Sequence, residues 1–151
     1  MMQLSEHFSL EEATYSETAI RLGINNQPSE KQLENMKVAA SQLEAVRAVS
    51  GPLRVNSWLR LPEVNVAVGG SRVSSHMDGW AIDCRSTTLT PYQLCQLVKQ
   101  SGIKFDQMIH EYGSWMHISF APEMRQQELT IFRPEGKYKP GILTEAEYHS
   151  A

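Results

Sequence analysis

Three side chains able to ligate a metal ion stand in two separated segments of the chain. His76 and Asp83 lie in SRVSSHMDGWAIDCR, and His117 lies in WMHISF. Two imidazoles and one carboxylate form the ligand set of a catalytic zinc site that keeps a fourth position open for water. A zinc ion in such a site polarises a carbonyl and lowers the pKa of the bound water. A lone His–Asp pair is only a weak signal of a metal site. The same residues could instead be a structural His and a solvated Asp.

The segment around His117 alternates in the way that predicts a β-strand. Trp115, His117 and Ser119 fall on one face, and the intervening apolar side chains fall on the other. The apolar face is expected to be core, so His117 points away from the core on a backbone that fixes its direction. Cys84 is not expected to be a ligand, because it follows Asp83 on a strand and neighbours point to opposite faces. The chain has no HExxH, which excludes the helix-based zincin arrangement.

The helices and strands that carry these residues are expected to form a small α+β domain, with helices packed on a mostly antiparallel sheet. Capping-box spacings begin two early helices, at Ser9 with Glu12 and at Ser29 with Gln32. A later helix begins at Pro91. Strands are predicted over residues 53–58, 80–85, 105–111 and 115–120. We expect one domain over residues 1–133 and a C-terminal tail over residues 134–151 that is extended or loosely ordered.

The hairpin before His117 has two possible registers, and the sequence leaves both open. A three-residue loop over 112–114 pairs Glu111 with Trp115 and puts Glu111 on the His117 face. A two-residue loop over 113–114 pairs His110 with His117 and sends Glu111 to the opposite face. The register therefore decides whether Glu111 or His110 is available beside His117.

Composition limits the class of protein. The chain has 151 residues, of which 41% are hydrophobic and 21% charged, with a net charge of −3. The charge disfavours a nucleic-acid partner, and no apolar run is long enough to span a membrane. The start lacks a basic segment followed by an apolar one, so no signal peptide is predicted and a cytoplasmic monomer is expected. Two cysteines, Cys84 and Cys95, do not make a disulfide scaffold.

Three blocks of residues occur in an order that is specific. They are S-x-x-R-x-P (Ser57, Arg60, Pro62), S-x-H-x-x-G-x-A-x-D (Ser74, His76, Gly79, Ala81, Asp83) and E-x-x-x-W-x-H (Glu111, Trp115, His117). With the leading segment FSLEEATYSETAIRLGINNQP, they resemble the zinc D-alanyl-D-alanine carboxypeptidase family over roughly residues 8–120. That family includes bacterial D,D-carboxypeptidases, vancomycin-resistance dipeptidases and phage endolysins, and hedgehog signalling domains carry a related zinc fold.

The resemblance implies a hedgehog-like D,D-peptidase fold and a zinc metallopeptidase. Its substrate would be a D-Ala-containing bond in a peptidoglycan stem peptide or cross-link, cut as a carboxypeptidase or an endopeptidase. His76, Asp83 and His117 would be the zinc ligands. A phage-encoded protein that is released to the cell wall or packaged in a virion is compatible with the missing signal peptide.

The resemblance also implies catalytic roles. Arg60 would stabilise the charge that develops on the scissile carbonyl, and Glu111 would be the general base. Ser74 and Trp115 would bind substrate. Vancomycin-resistance dipeptidases and some endolysins carry an acidic residue three positions before the last His, where this chain has Ser114. That difference leaves an alternative, a non-catalytic zinc-containing binding or phage structural module on the same fold.

Overall fold

The computed structural model describes residues 2–151 and shows six strands, six α-helices and one short 3-10 helix. The helices are α1 (Leu10–Thr14), α2 (Glu17–Leu22), α3 (Glu30–Ser50), α4 (Pro62–Ala67), α5 (Pro91–Ser101) and α6 (Glu145–Ser150), and the 3-10 helix is Ser75–Asp78. The strands are β1 (Leu53–Ser57), β2 (Ala81–Ser86), β3 (Gln107–Glu111), β4 (Trp115–Ser119), β5 (Gln127–Ile131) and β6 (Lys139–Pro140). Within residues 2–151, no helix combines the length and apolar composition needed to cross a membrane.

The six strands form one sheet in the order β1-β2-β4-β3-β5-β6. Every neighbouring pair is antiparallel except β3 and β5, which run parallel. The predicted α+β class is therefore confirmed, and the sheet is mixed rather than purely antiparallel. This order puts β2, β4 and β3 side by side at the centre, where three of the chemically interesting residues lie.

Helices α3 and α5 cover one face of the sheet, because each carries an apolar stripe. Helix α3 begins with the predicted capping box of Ser29 with Gln32, and α5 begins with a second box, Thr90 with Gln93, before the predicted Pro91. The buried side chains between helices and sheet are Met36, Ala39, Ala40, Leu43, Val46, Leu94, Cys95, Val98, Ile82, Cys84, Met108, Met116 and Ile118. Each fully buried large side chain of this kind contributes about 1.5–3 kcal/mol. Because strand side chains alternate, the opposite face of β2, β3 and β4 is left for polar groups.

The C-terminal segment differs from the expected extended or loosely ordered tail. It pairs β6 with β5 and ends in α6, whose capping box joins Thr144 and Glu147. Tyr148 is fully buried, and its hydroxyl donates to the carbonyl of Lys137 at 2.7 Å. The expectation of a loose tail rested on the Pro, Gly and Lys content of the segment. Its two buried apolar residues, Ile142 and Tyr148, follow no helical or strand period and so gave no sequence signal.

Candidate metal centre and active-site cleft

The sheet brings two of the three predicted ligands together by direct strand pairing. Asp83 on β2 is the register partner of His117 on β4, and His117 Nδ1 lies 2.9 Å from Asp83 Oδ1. His76 completes the group, with Nε2 at 3.3 Å from the same carboxylate oxygen. One ligand atom from each residue lies within 4.8 Å of the others, and all three residues are buried. The structure thus joins side chains that the sequence places in two distant segments.

His76 presents an unprotonated nitrogen to this cluster. Its Nδ1 lies 2.7 Å from the carbonyl oxygen of Trp58, which can only accept, so Nδ1 carries the proton. Nε2 then carries a lone pair and no proton. It is buried and has no hydrogen-bond partner among residues 2–151. It faces the Asp83 carboxylate, which is also an acceptor. Two acceptors held this close favour a cation between them, and burial lowers the pKa of His76 and disfavours a proton in that place.

The position of His76 depends on close packing between its 3-10 helix and α3. Gly79 ends that helix at φ 85°, and a Cβ there would lie 2.6 Å from Met36 Cγ and 3.2 Å from the Gln32 carbonyl. Glycine is therefore required both for the backbone conformation and for the contact. The Gly79 carbonyl accepts from Trp58 Nε1 at 2.8 Å. Trp58, whose carbonyl orients the His76 ring, therefore also holds the end of this 3-10 helix through its indole.

The hairpin adopts the three-residue loop, which puts Glu111 on the His117 face. Glu111 pairs with Trp115, and Ile109 pairs with His117. The alternative register, in which His110 pairs with His117, is wrong, and His110 lies on the opposite face with Nδ1 at 2.8 Å from the Leu143 carbonyl oxygen. The sharp turn is possible because two consecutive residues after Glu111 take left-handed conformations, at φ 57° and 62°.

Glu111 lies beside the cluster in a desolvated position. Its Oε1 is 4.0 Å from His117 Nδ1. Burial raises the pKa of Glu111 to about 7, and the charge of Asp83 acts in the same direction. A carboxyl group with this pKa can both accept and return a proton near neutral pH.

Asp83 stays ionised although it is buried. Burial alone would raise the pKa of Asp83, but the charges of His76 and His117 and the hydrogen bond with His117 outweigh burial and hold it well below its usual value. For His117, burial acts to lower the pKa, and the hydrogen bond and charge of Asp83 overcome that effect and raise it. The cluster therefore offers one fixed negative charge to a cation.

The cluster opens into a cavity of about 450 Å³. Arg60, Ser74, Glu111 and Trp115 line it together with the three predicted ligands. Ser74 Oγ accepts from the backbone N–H of the second residue after it at 3.1 Å, so it helps to shape the 3-10 helix. Ser114 is not part of the lining, and its Oγ donates to the Tyr112 carbonyl at 3.2 Å. All seven predicted site residues therefore meet at one cavity.

Arg60 is tied to the cluster through the backbone. Its N–H donates to the His76 carbonyl at 3.0 Å. Within residues 2–151 its Nε is buried without a hydrogen-bond partner, and no carboxylate lies within 4.0 Å of its side chain. Burial lowers the pKa of Arg60, while the charges of Asp83 and Glu111 act against burial. The guanidinium is thus available to a ligand in the cavity.

The sequence interpretation missed several residues of the cavity wall. These are Val68, Gly69, Gly70, Ser71, Val73, Gln107, Arg125, Leu129 and Tyr138. The adjacent glycines Gly69 and Gly70 were the available sequence signal for the wall residues between Val68 and Val73. Gly70 lies so close to Asn65 that a Cβ there would be 2.1 Å from Asn65 Oδ1. Gln107 follows from strand alternation, because it is four residues from Glu111 on β3. Of the other three, Arg125 lies in the loop before β5, Leu129 lies on β5, and Tyr138 lies in the tail that was expected to be loosely ordered.

Comparison with known proteins identifies the family of the chain. A protein-family model described as Peptidase M15 matches residues 6–119, which are 114 of the 151 residues. A search of curated proteins finds no significant match. The matched range contains His76, Asp83, Glu111 and His117, whose side chains meet at the cavity. Since this match spans well over half of the sequence, the chain belongs to the peptidase M15 family.

Proposed function

We propose that the protein is a zinc-dependent metallopeptidase that hydrolyses D-Ala-containing peptide bonds in peptidoglycan stem peptides or cross-links. The observation that carries this proposal is the convergence of His76, Asp83 and His117, one ligand atom of each lying within 4.8 Å of the others, in a peptidase-family chain. The unpartnered, buried Nε2 beside a carboxylate supports a cation at this point. We propose D-Ala-containing bonds because of the three motif blocks quoted above.

His76, Asp83 and His117 would hold the metal ion. Two imidazole nitrogens and one carboxylate oxygen suit zinc and leave room for a substrate atom. When bound, zinc supplies Lewis acidity toward a carbonyl and toward water. Trp58 fixes the tautomer of His76 through its carbonyl, which is a common arrangement for metal-binding imidazoles.

Glu111 acts as the general base and then as the general acid. Its carboxylate takes a proton from the attacking water and returns the proton to the leaving amine. The pKa of about 7 suits both transfers. The position of Oε1 at 4.0 Å from His117 Nδ1 keeps the carboxylate next to the proposed metal site.

Arg60 and Trp115 bind the substrate around the scissile bond. The Arg60 guanidinium stabilises the negative charge that develops on the scissile carbonyl oxygen, and its desolvation strengthens that interaction. Trp115 lines the same cavity, where its ring can pack against the substrate. Ser74 lines the same cavity and contributes a hydroxyl.

We propose that the protein acts as a monomer on a peptidoglycan peptide, with neither nucleic acid nor a membrane as partner. We propose that it is made in the cytoplasm and, if phage-encoded, reaches the cell wall by release or as part of a virion. Detection of the chain in purified particles supports the virion-associated form, and its absence there contradicts it.

The direct experiment is digestion of peptidoglycan. The zinc-loaded protein is incubated with purified peptidoglycan and with a synthetic stem pentapeptide ending in D-Ala-D-Ala, and products are identified by mass spectrometry. New amine termini are expected from at least one substrate. The absence of any product from protein with full zinc occupancy contradicts the proposal and favours the non-catalytic module that Ser114 leaves open.

A further inference from the structure

The end of the chain supplies part of the cavity wall. Arg125, Leu129 and Tyr138 line the cavity, and all three lie beyond residue 119, where the family match ends. Arg125 is the one positively charged residue of this group, and Arg60 is the other guanidinium on the cavity among the described residues. This part of the wall therefore belongs to segments that the family match does not cover.

Arg125 is oriented by a buried carboxylate. Asp106 Oδ1 accepts from Arg125 Nε at 2.9 Å and from the backbone N–H of Arg125 at 3.1 Å, and Asp106 Oδ2 accepts from Nη2 at 2.9 Å. Asp106 is 2% exposed, whereas the Arg125 side chain is 52% exposed. A two-point pair of this kind fixes the plane and direction of the guanidinium.

The pair leaves hydrogen-bonding capacity on the cavity side. Two side-chain nitrogens of Arg125 donate to Asp106, and the remaining N–H groups of the guanidinium have no hydrogen-bond partner among residues 2–151. No second carboxylate lies within 4.0 Å of Arg125 in those residues. Only the side of the guanidinium that faces Asp106 is used to hold the loop before β5 against the residue that precedes β3. The exposed side can receive a planar anion such as a carboxylate.

The sheet register sets how far Asp106, which holds Arg125, lies from His117 of the metal cluster. The N–H of Asp106 donates to the Ser119 carbonyl, and Ser119 follows His117 by two residues on β4. At about 3.3 Å per residue, that is about 7 Å along the strand. An extended substrate advances by about the same amount per residue. A carboxylate one to three residues from the scissile bond therefore falls within reach of the Arg125 side chain.

We infer that Arg125, positioned by Asp106, is a specificity residue that binds a carboxylate of the substrate peptide one to three residues from the scissile bond. The inference rests on the proposed function, because it names the substrate class of the same cavity: an acidic peptide rather than a neutral one. A C-terminal carboxylate and an internal one are both sources of this chemistry, and the experiment separates them.

The test compares three forms of the pentapeptide L-Ala-D-Glu-L-Lys-D-Ala-D-Ala, in which D-Glu is linked through its γ-carboxyl. One form is free, one is amidated at the C-terminus, and one is amidated at the D-Glu α-carboxyl. Titration calorimetry measures Kd and mass spectrometry measures cleavage, using zinc-loaded wild type, Arg125→Gln, Arg125→Lys and Asp106→Asn. Arg54→Gln, on the far edge strand β1, is the matched loss of an exposed guanidinium.

We expect wild type to bind the free peptide about tenfold more tightly than one of the two amides, which identifies the carboxylate. Arg125→Gln should lose this preference, Arg125→Lys and Asp106→Asn should reduce it, and Arg54→Gln should keep it. Equal binding of all three peptides by wild type, binding of none, or an undiminished preference in a folded Arg125→Gln overturns the inference. Because Kd is measured apart from cleavage, binding without hydrolysis contradicts the proposed function alone.

Discussion

Asp83 and His117 are direct partners across the β2–β4 ladder, and the Asp83 Oδ1 atom is 2.9 Å from His117 Nδ1. A strand pair holds both side chains on one face with little freedom, and the opposite face of the same strands is packed against α3 and α5. Only His76 comes from outside the sheet, on a 3-10 helix fixed by Gly79. The rigidity of the proposed metal site therefore comes from the core that lies beneath it.

Removing a strand ligand should abolish metal binding. In His117→Ala we expect zinc affinity to fall by more than about 100-fold, because loss of an outer-shell partner alone costs about 10–100-fold. Equilibrium dialysis followed by elemental analysis measures the bound zinc. His110→Ala is the control, since His110 lies on the same hairpin but on the opposite face. Stoichiometric zinc in His117→Ala would contradict the ligand assignment.

Removing the proposed base should separate catalysis from metal binding. In Glu111→Gln we expect kcat to fall by about 100-fold or more, as is typical for loss of a general base, with unchanged zinc content. Glu34→Gln, an exposed carboxylate on α3, should leave kcat unchanged. If Glu111→Gln keeps full activity, the general base must be sought among other groups of the cavity.

The contact between Gly79 and α3 gives a prediction for stability. Gly79→Ala combines a left-handed conformation, at φ 85°, with a contact of 2.6 Å to Met36 Cγ. Gly102→Ala shares the left-handed conformation, at φ 77°, but has nothing within 4 Å. We expect Gly102→Ala to lose about 1–2 kcal/mol of unfolding free energy and Gly79→Ala to lose about 1–3 kcal/mol more, measured by urea unfolding. Equal losses would show that α3 does not confine the His76 helix.

The pair of Asp106 and Arg125 gives a prediction for pH. The hydrogen bond from Arg125 lowers the pKa of Asp106 below its ordinary value of 3.8. The stabilisation is therefore fully present above about pH 5 and is lost as the pH falls through the lowered pKa of the folded state. Asp106→Asn should be less stable than wild type by about 1 kcal/mol at neutral pH.

Urea unfolding of both proteins from pH 8 to pH 3 checks the Asp106 prediction. The difference in unfolding free energy should stay constant down to about pH 5. It should shrink below about pH 4, where Asp106 of the unfolded chain binds a proton and Asp106 of the folded protein, with its lower pKa, still resists protonation. A difference that grows on acidification would show that the pair does not stabilise the ionised carboxylate.

Much of the fold and site followed from local patterns. Capping boxes at Ser9 and Ser29 and the proline at position 91 correctly predicted the starts of three helices, because these signals depend on a few neighbouring residues. Strand alternation correctly put His117 on the face opposite the core. These features need only short stretches of sequence to specify them.

Other features depend on contacts that no local pattern specifies. The hairpin register was open between Glu111 and His110, since both loop lengths fit the same residues. The anchoring of the tail by Tyr148 and the placement of Arg125 on the cavity require long-range packing. The parallel pairing of β3 with β5 likewise joins segments whose partners are not adjacent in the chain.

The most direct test of the proposed metal site is a crystal structure of the zinc-loaded protein with anomalous data at the zinc absorption edge. We expect one anomalous peak at about 2.0–2.2 Å from His76 Nε2, Asp83 Oδ1 and His117 Nδ1. The peak should be absent from crystals of metal-free protein. A zinc ion bound elsewhere, or an empty cluster in protein that carries one equivalent of zinc, would contradict zinc binding by His76, Asp83 and His117.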